Sequence, residues 1–327
     1  MTRTATVRRT LFSIAAREAT FAQRGFVRGD SVIVSHLERI GQLFLLGYNA
    51  AIARGTPIGF ADELRRVPRT HTGFVVEGAA MAFALLDRLL LPRRRRVMRF
   101  LYGDASKHPY MTHVGIGWAL ARLGLARFEV TRRRALIGMD PLLRWLAIDG
   151  YGFHEGYFHR RRVVDRGWRP APDSSYVARA FDQGLGRSLW FSECADPLRI
   201  AGTIARFDDS RHGDLWAGVG LACAYAGGVS DPVIAELARL GEPYARQLAQ
   251  GVAFAAKTRL RAGNLVEHTT RACRVLCGME PDQAAALTDE CLAGLTSGTP
   301  RVPAFELWRR RIAARFAVRS SAPLSTT

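Results

Sequence analysis

The sequence predicts an all-α protein: a superhelical array of roughly six to seven αα hairpins in two pseudo-equivalent halves. Three observations predict it. A motif of glycine followed by small or apolar residues recurs, with first glycines at Gly47, Gly78, Gly115, Gly156, Gly184, Gly218 and Gly251, a mean step of 34 residues. That length suits one helical hairpin. Apolar residues recur at helical spacing, and no run alternates as a strand does. Finally, small residues stand four apart at Gly78/Ala82, Gly115/Ala119, Gly184/Ser188 and Gly218/Ala222, hence on one helix face. Glycine inside a helix costs about 1 kcal/mol against alanine, so its repetition implies close approach of helix backbones.

Along the chain, residues 1–30 form a basic N-terminal arm packed on the first repeat. Ser31 is positioned to cap a helix that runs to Ala53. A motif helix follows from His71 to Leu91. Short and motif-bearing helices then alternate: Val97–Leu101 and Tyr110–Leu123, then Pro141–Ile148 and Tyr151–Arg161. Residues 31–168 make the first half. A linker containing Pro170, Pro172, Ser174 and Ser175 opens the second, 169–299. There the helices are Tyr176–Ser192, Pro197–Arg206, Asp214–Tyr225, Pro232–Leu240 and Tyr244–Arg259. Asp196-Pro197, Asp231-Pro232 and Glu242-Pro243 supply helix-start chemistry, because proline lacks the amide left unpaired there. Residues 300–327 read as a basic C-terminal helix and a disordered tail. Offsets of 106 between Gly78 and Gly184, and 103 between Gly115 and Gly218, relate the halves and suggest a groove or tunnel on the concave side.

Composition narrows the function classes. A chain of 327 residues with 48% hydrophobic content buries a sizeable core. No apolar run of membrane-spanning length occurs, and no signal sequence is seen, so a cytoplasmic location is expected. Five scattered cysteines fit reduced thiols. The net charge of +18 comes almost wholly from arginine, Lys107 and Lys257 being the only lysines. Such a surface attracts an acidic partner; nucleic acid is disfavoured, since charge alone would support it. The arginine runs are 93–96, 132–134, 160–162 and 309–311.

The richest polar segment is Asp149-Gly150-Tyr151-Gly152-Phe153-His154-Glu155-Gly156-Tyr157-Phe158-His159. A zinc-protease helix needs two histidines four apart on one face. His154 and His159 are five apart, about 140° around a helix, so no metal site is expected here. Glu155 and His159 can pair. A second segment, Asp182–Phe191, carries Arg187 and Trp190, suited to an anion and a flat apolar group. It has no preceding strand and is not a phosphate loop. Asp208–Asp214 has the wrong spacing for an aspartate-rich magnesium motif. His268, Cys273 and Cys277 lack a CxxC pair.

Taken together, Glu77-Gly78-Ala79-Ala80-Met81, Gly115-Ile116-Gly117-Trp118-Ala119, the 149–158 segment, Asp182–Phe191, Asp214–Ala222 and Gln250–Lys257 resemble the UnbL-type family over roughly residues 10–295. That family is a bacterial domain of unknown function encoded in enediyne biosynthetic gene clusters. The resemblance implies natural-product biosynthesis and a linear polyene substrate from an iterative polyketide synthase. It supplies no catalytic residues. Side-chain chemistry gives them: Asp149, Glu155 or Asp182 as acid, His154 as proton acceptor, and Trp118, Tyr151, Phe153, Arg187, Trp190 and Trp216 as the binding wall. The expected activity is isomerisation or cyclisation of an apolar polyene without a cofactor or metal, with an acidic acyl carrier protein docking at Arg93–Arg96 and Arg160–Arg162. The rival readings are a non-catalytic helical scaffold for pathway enzymes or a carrier protein, and a non-canonical isoprenoid cyclase.

Overall fold

The computed structural model describes residues 3–89, 95–124, 139–170, 176–295, 297–299 and 301–316. Its longer helices are α1 (Arg3–Phe12), α2 (Ser31–Arg54), α3 (Thr72–Leu89), α4 (Arg96–Tyr102), α5 (Pro109–Arg122), α6 (Trp145–Phe158), α7 (Tyr176–Ser192), α8 (Pro197–Ile204), α9 (Asp209–Ala226), α10 (Asp231–Leu240), α11 (Ala245–Ala262), α12 (Pro281–Leu292) and α13 (Ala304–Arg315). Among the described residues there is no strand, only an isolated bridge between Gly298 and Pro303. No described helix is long and apolar enough to cross a membrane.

The motif helices α2, α3, α5, α6, α7, α9 and α11 pack each on the next. They run in one direction. Trp145 and Tyr176 meet at the starts of α6 and α7, with ring centroids 4.8 Å apart, and Arg160, just past the end of α6, donates to Oγ of Ser192, the last residue of α7, at 3.0 Å. Parallel neighbours need return connections, and α4, α8 and α10 lie in those returns.

The glycines explain the spacing. A β-carbon on Gly78, Gly115, Gly150, Gly184, Gly218 or Gly251 would overlap a carbonyl oxygen of the preceding motif helix, that of Phe44, Glu77, Val114, Asp149, Gln183 or Ala217 respectively. A β-carbon on Gly47, Gly117, Gly152, Gly186 or Gly220 would overlap a carbonyl oxygen of the following one, that of Val75, Ala147, Phe181, Leu215 or Leu248. Residues two apart lie about 200° apart around a helix. Each Gly-x-Gly therefore serves both neighbours, its first glycine facing back and its second facing forward. The repeat register follows from this: position one is Leu45, Gly78, Gly115, Gly150, Gly184, Gly218 and Gly251, with steps of 33 to 37 residues. Gly47 is thus a second-position glycine. Gly156 is outside the register; a β-carbon there would meet the Ser188 side chain instead. The 106- and 103-residue offsets are three steps of the same repeat. The contact between α6 and α7 has the same form as the others, and one hydrophobic core runs through both halves.

The row also closes. Phe74 of α3 packs edge-on against Tyr225 of α9 at 5.3 Å, Arg259 donates to the Thr70 carbonyl at 2.6 Å, and His36 Nε2 lies 2.7 Å from the Ala226 carbonyl. Phe74 lies four residues before its position-one glycine and Tyr225 seven after its own. The ring therefore closes with a stagger of eleven residues, about 16 Å along the axis.

Several boundaries differ from expectation. Asp30, not Ser31, caps α2, its carboxylate accepting from Val32 N at 2.7 Å. The predicted short helix 141–148 and motif helix 151–161 give way to one helix, α6, because the glycine register continues through Gly150 and Gly152. Asp208 caps α9, which begins at Asp209 rather than Asp214. The arm contains α1, whose Arg8 donates to the Ile52, Ala53 and Arg54 carbonyls at the open end of α2. The tail 317–327 and the arginines at 93, 94 and 132–134 lie outside the described residues. Arg96 is buried against Asp87 at 3.0 Å, and Arg309 is buried against Asp214 at 2.7 Å, so these members of the runs are structural. All five cysteines are buried, and none forms a disulfide.

Asp196 caps α8, accepting from Leu198 N at 2.9 Å and Arg199 N at 3.2 Å. Asp196→Ala is expected to cost about 1 kcal/mol in urea denaturation.

Candidate functional site

Each motif helix turns one stripe toward the ring axis, at positions −4, −1, +3 and +7 from its position-one residue. These spacings of three and four residues keep one helix face. From α3 the stripe supplies Phe74, Glu77 and Met81; from α5, Trp118 and Arg122; from α6, Phe153 and Tyr157; from α7, Arg187 and Phe191; from α9, Leu221 and Tyr225. These residues surround a cavity whose space open to the centre of a water molecule is about 60 Å³. That is room for a few waters or a thin chain. Phe44 and Gly41 of α2 complete the ring, and Ile14, Glu18 and Ala19 of the arm cover one side. A second cavity of about 30 Å³, measured the same way, is lined by Val114, Leu146, Asp149, Phe254 and Trp308 and shares Arg187, Leu221 and Tyr225 with the first.

The wall is aromatic. Trp118 stands 4.6 Å from Phe44 and 5.0 Å from Phe153, and Phe153 stands 5.4 Å from Phe191, all between ring centroids. One carboxyl lies deep in this setting. Glu77 is buried, and burial pushes its carboxyl up to about 7. The Arg187 charge pulls the other way, Asp149 reinforces the rise, and the nearby Trp118 indole lowers it somewhat. Arg187 does not neutralise Glu77, because it is committed elsewhere. Its guanidinium donates to Asp149 Oδ1 and lies 4.7 Å over the Phe153 ring, while Gln183 donates to Asp149 Oδ2 at 2.8 Å. Glu77 Oε1, Trp118 Nε1 and Tyr225 Oη make no hydrogen bond of normal geometry, although the Trp118 indole lies close enough to Glu77 to lower its value.

The predicted site residues separate into groups. Trp118, Phe153 and Arg187 line the first cavity. Asp149 lines the second, but its carboxylate is bound to Arg187 and Gln183, which removes it as a free acid. Asp182 lines neither. It accepts from Arg211 at 2.6 and 3.1 Å and lies 3.2 Å from Arg169, and burial holds its carboxyl up at about 6. Tyr151 packs edge-on against Phe181 at 5.3 Å. Trp190 donates to the Gly227 carbonyl at 3.0 Å, and the Trp216 ring lies beside Gly241. None of these three lines either cavity.

His154 and Glu155 also stay outside the lining, and they meet each other. His154 Nδ1 and His159 Nδ1 each lie 3.3 Å from Glu155 Oε1. The helical angle put the two histidines on different faces, but α6 ends at Phe158 and His159 leaves helical geometry at φ −127°, ψ 37°. Burial lowers the His154 pKa although Glu155 pulls it up. For Glu155, burial opposes ionisation, and the His154 hydrogen bond with the His154, His159 and Arg162 charges outweighs it. The Asp208–Asp214 acids diverge: Asp208 caps α9, Asp209 is exposed, and Asp214 is held by Arg179 at 2.8 Å and by Arg309.

A family model described as a protein of unknown function, DUF1702, matches residues 3–316. The chain belongs to the DUF1702 family. No curated protein and no solved structure matches it significantly. The DUF1702 match spans the arm, all seven motif helices and α13, and so every element that lines the two cavities. Within this DUF1702 chain, Glu77 stood out in the sequence only as the first residue of the Glu77–Met81 motif. The signal that isolates it is its place at position −1, three residues after Phe74 and four before Met81, with no basic residue inside α3 before Arg88.

Proposed function

We propose that this protein isomerises or cyclises a linear apolar polyene inside the helical ring, with Glu77 as the acid. The observation that carries this reading is a carboxyl with a value of about 7 in an aromatic-lined cavity. A general acid works best with a value near the working pH. Glu77 donates its proton to a terminal alkene carbon, forming a C–H bond and leaving a carbocation on the chain. Trp118, Phe153 and Phe44, which line the cavity, would stabilise that cation. Attack by a second alkene forms a C–C bond, or none forms and the double bond shifts. Loss of a proton to the Glu77 carboxylate restores the acid, so substrate and product are isomers and no oxidant is consumed.

The resemblance to the UnbL-type family supports an enediyne-type polyketide polyene, in the bacterial cytoplasm, as the substrate. An isoprenoid polyene would use the same chemistry. Arg161, exposed beyond α6, and its neighbours would steer an acidic acyl carrier protein toward the arm-covered side of the cavity. Arg160 and Arg162 are partly engaged by Glu193 and Glu155.

Purified protein is to be incubated with linear polyenes, free and carrier-bound, and products identified by mass spectrometry and NMR. Turnover is expected in wild type and a loss of about 10²–10⁴-fold in Glu77→Gln. The rate is expected to be full below pH about 7 and to fall as pH rises through it, because the active form is protonated. A non-catalytic scaffold predicts no product from any polyene and binding to pathway proteins that Glu77→Gln leaves unchanged.

A further inference from the structure

We propose that His154, Glu155 and His159 form a binding site for a divalent transition metal, with zinc as the best-matched ion. Two imidazole nitrogens and one carboxylate oxygen, one donor from each residue, lie within 4.8 Å of one another. Each nitrogen is 3.3 Å from Glu155 Oε1. In a tetrahedral site with bonds of about 2.0–2.1 Å, neighbouring ligand atoms are about 3.3–3.4 Å apart. Both nitrogen–oxygen edges therefore already have the length that zinc imposes.

The donor set is two histidines and one carboxylate, which leaves a fourth position. The His159 side chain is 51% exposed while Glu155 is 4% exposed, so the open side faces solvent, where water or an anionic oxygen can bind. The second carboxylate oxygen, Glu155 Oε2, is buried without a hydrogen-bond partner. Arg162 opposes the ion: its Nη1 lies 3.7 Å from that oxygen, and its guanidinium stacks 3.4 Å over Trp168. This charge weakens the site and supplies a test of opposite sign. Arg122 also acts on His154 at longer range. The site flanks the first cavity, the His154 ring being 5.5 Å from Trp118 and 4.8 Å from Phe158. It is independent of Glu77, and its test needs no polyene.

The experiment is zinc binding to chelator-stripped full-length protein, read by isothermal titration and by metal content after dialysis. One zinc per chain is expected. His159→Gln, at a half-exposed position beyond the helix, should loosen binding at least tenfold with unchanged circular dichroism. Arg162→Gln should tighten it several-fold, an effect that a structural histidine–glutamate pair would not produce. The proposal is overturned by no stoichiometric binding to wild type, by zinc binding that His159→Gln leaves intact, or by no tightening in Arg162→Gln.

Discussion

Gly184→Ala should destabilise the fold by about 3 kcal/mol or more in urea denaturation. The added methyl would overlap the Asp149 carbonyl oxygen and press on the Phe153 amide nitrogen, both backbone atoms of α6 that no rotamer change can move aside. The gain in helix propensity, about 1 kcal/mol, works in the opposite direction and is outweighed. The control lies in α8. Gly202 is also helical, but a β-carbon there meets nothing within 4 Å. Gly202→Ala should therefore stabilise by about 0.5–1 kcal/mol. Equal effects at the two sites would contradict close backbone packing as the reason for the repeated glycines.

The second large effect concerns the buried pair between Asp149 and Arg187. Arg187→Met should cost about 3–5 kcal/mol, because it strands the Asp149 carboxylate away from water with only Gln183 to support it. Asp149→Leu should cost a similar amount by stranding Arg187. The double substitution should cost much less than the sum, since a buried ion pair replaced by apolar side chains is often near neutral. A double-mutant cycle measures this coupling. Additive losses would mean that the two residues do not act as a pair. Arg187→Met should also raise the Glu77 pKa further, because it removes a charge that lowers it.

The architecture was legible because its cause is local. Glycine recurring every 34 residues marks where backbones touch, and that survives in a single sequence. The register at the fourth copy was not legible: Gly150, Gly152 and Gly156 all fit the pattern, and only the positions of the Val114 and Phe181 carbonyls distinguish them. Ring closure was hidden too, since Phe74 and Tyr225 are far apart in sequence and neither carries a motif. For the site, charge density drew attention to Asp149, Glu155 and Asp182. A buried carboxylate rich in partners is held by them, and each of these acids turned out to be held. Glu77 sits among apolar residues of its own helix, which makes it inconspicuous in sequence, while burial in the fold raises its carboxyl. His159 was misplaced because the helix expected to run to Arg161 ends at Phe158, three residues earlier.

The raised Glu77 value also has a folding consequence. Its unfolded value is the ordinary 4.5, so the unfolded chain releases this proton first, and stability falls as pH rises from about 4.5 to about 7. Glu77→Gln should remove that part of the slope.

The most direct test of the central claim is a crystal structure of Glu77→Gln bound to a linear polyene. The account predicts a chain threaded along the ring axis between Phe44, Trp118, Phe153 and Phe191, with one alkene carbon in van der Waals contact with the residue 77 amide. A polyene bound elsewhere, or residue 77 turned away from the cavity, would contradict it.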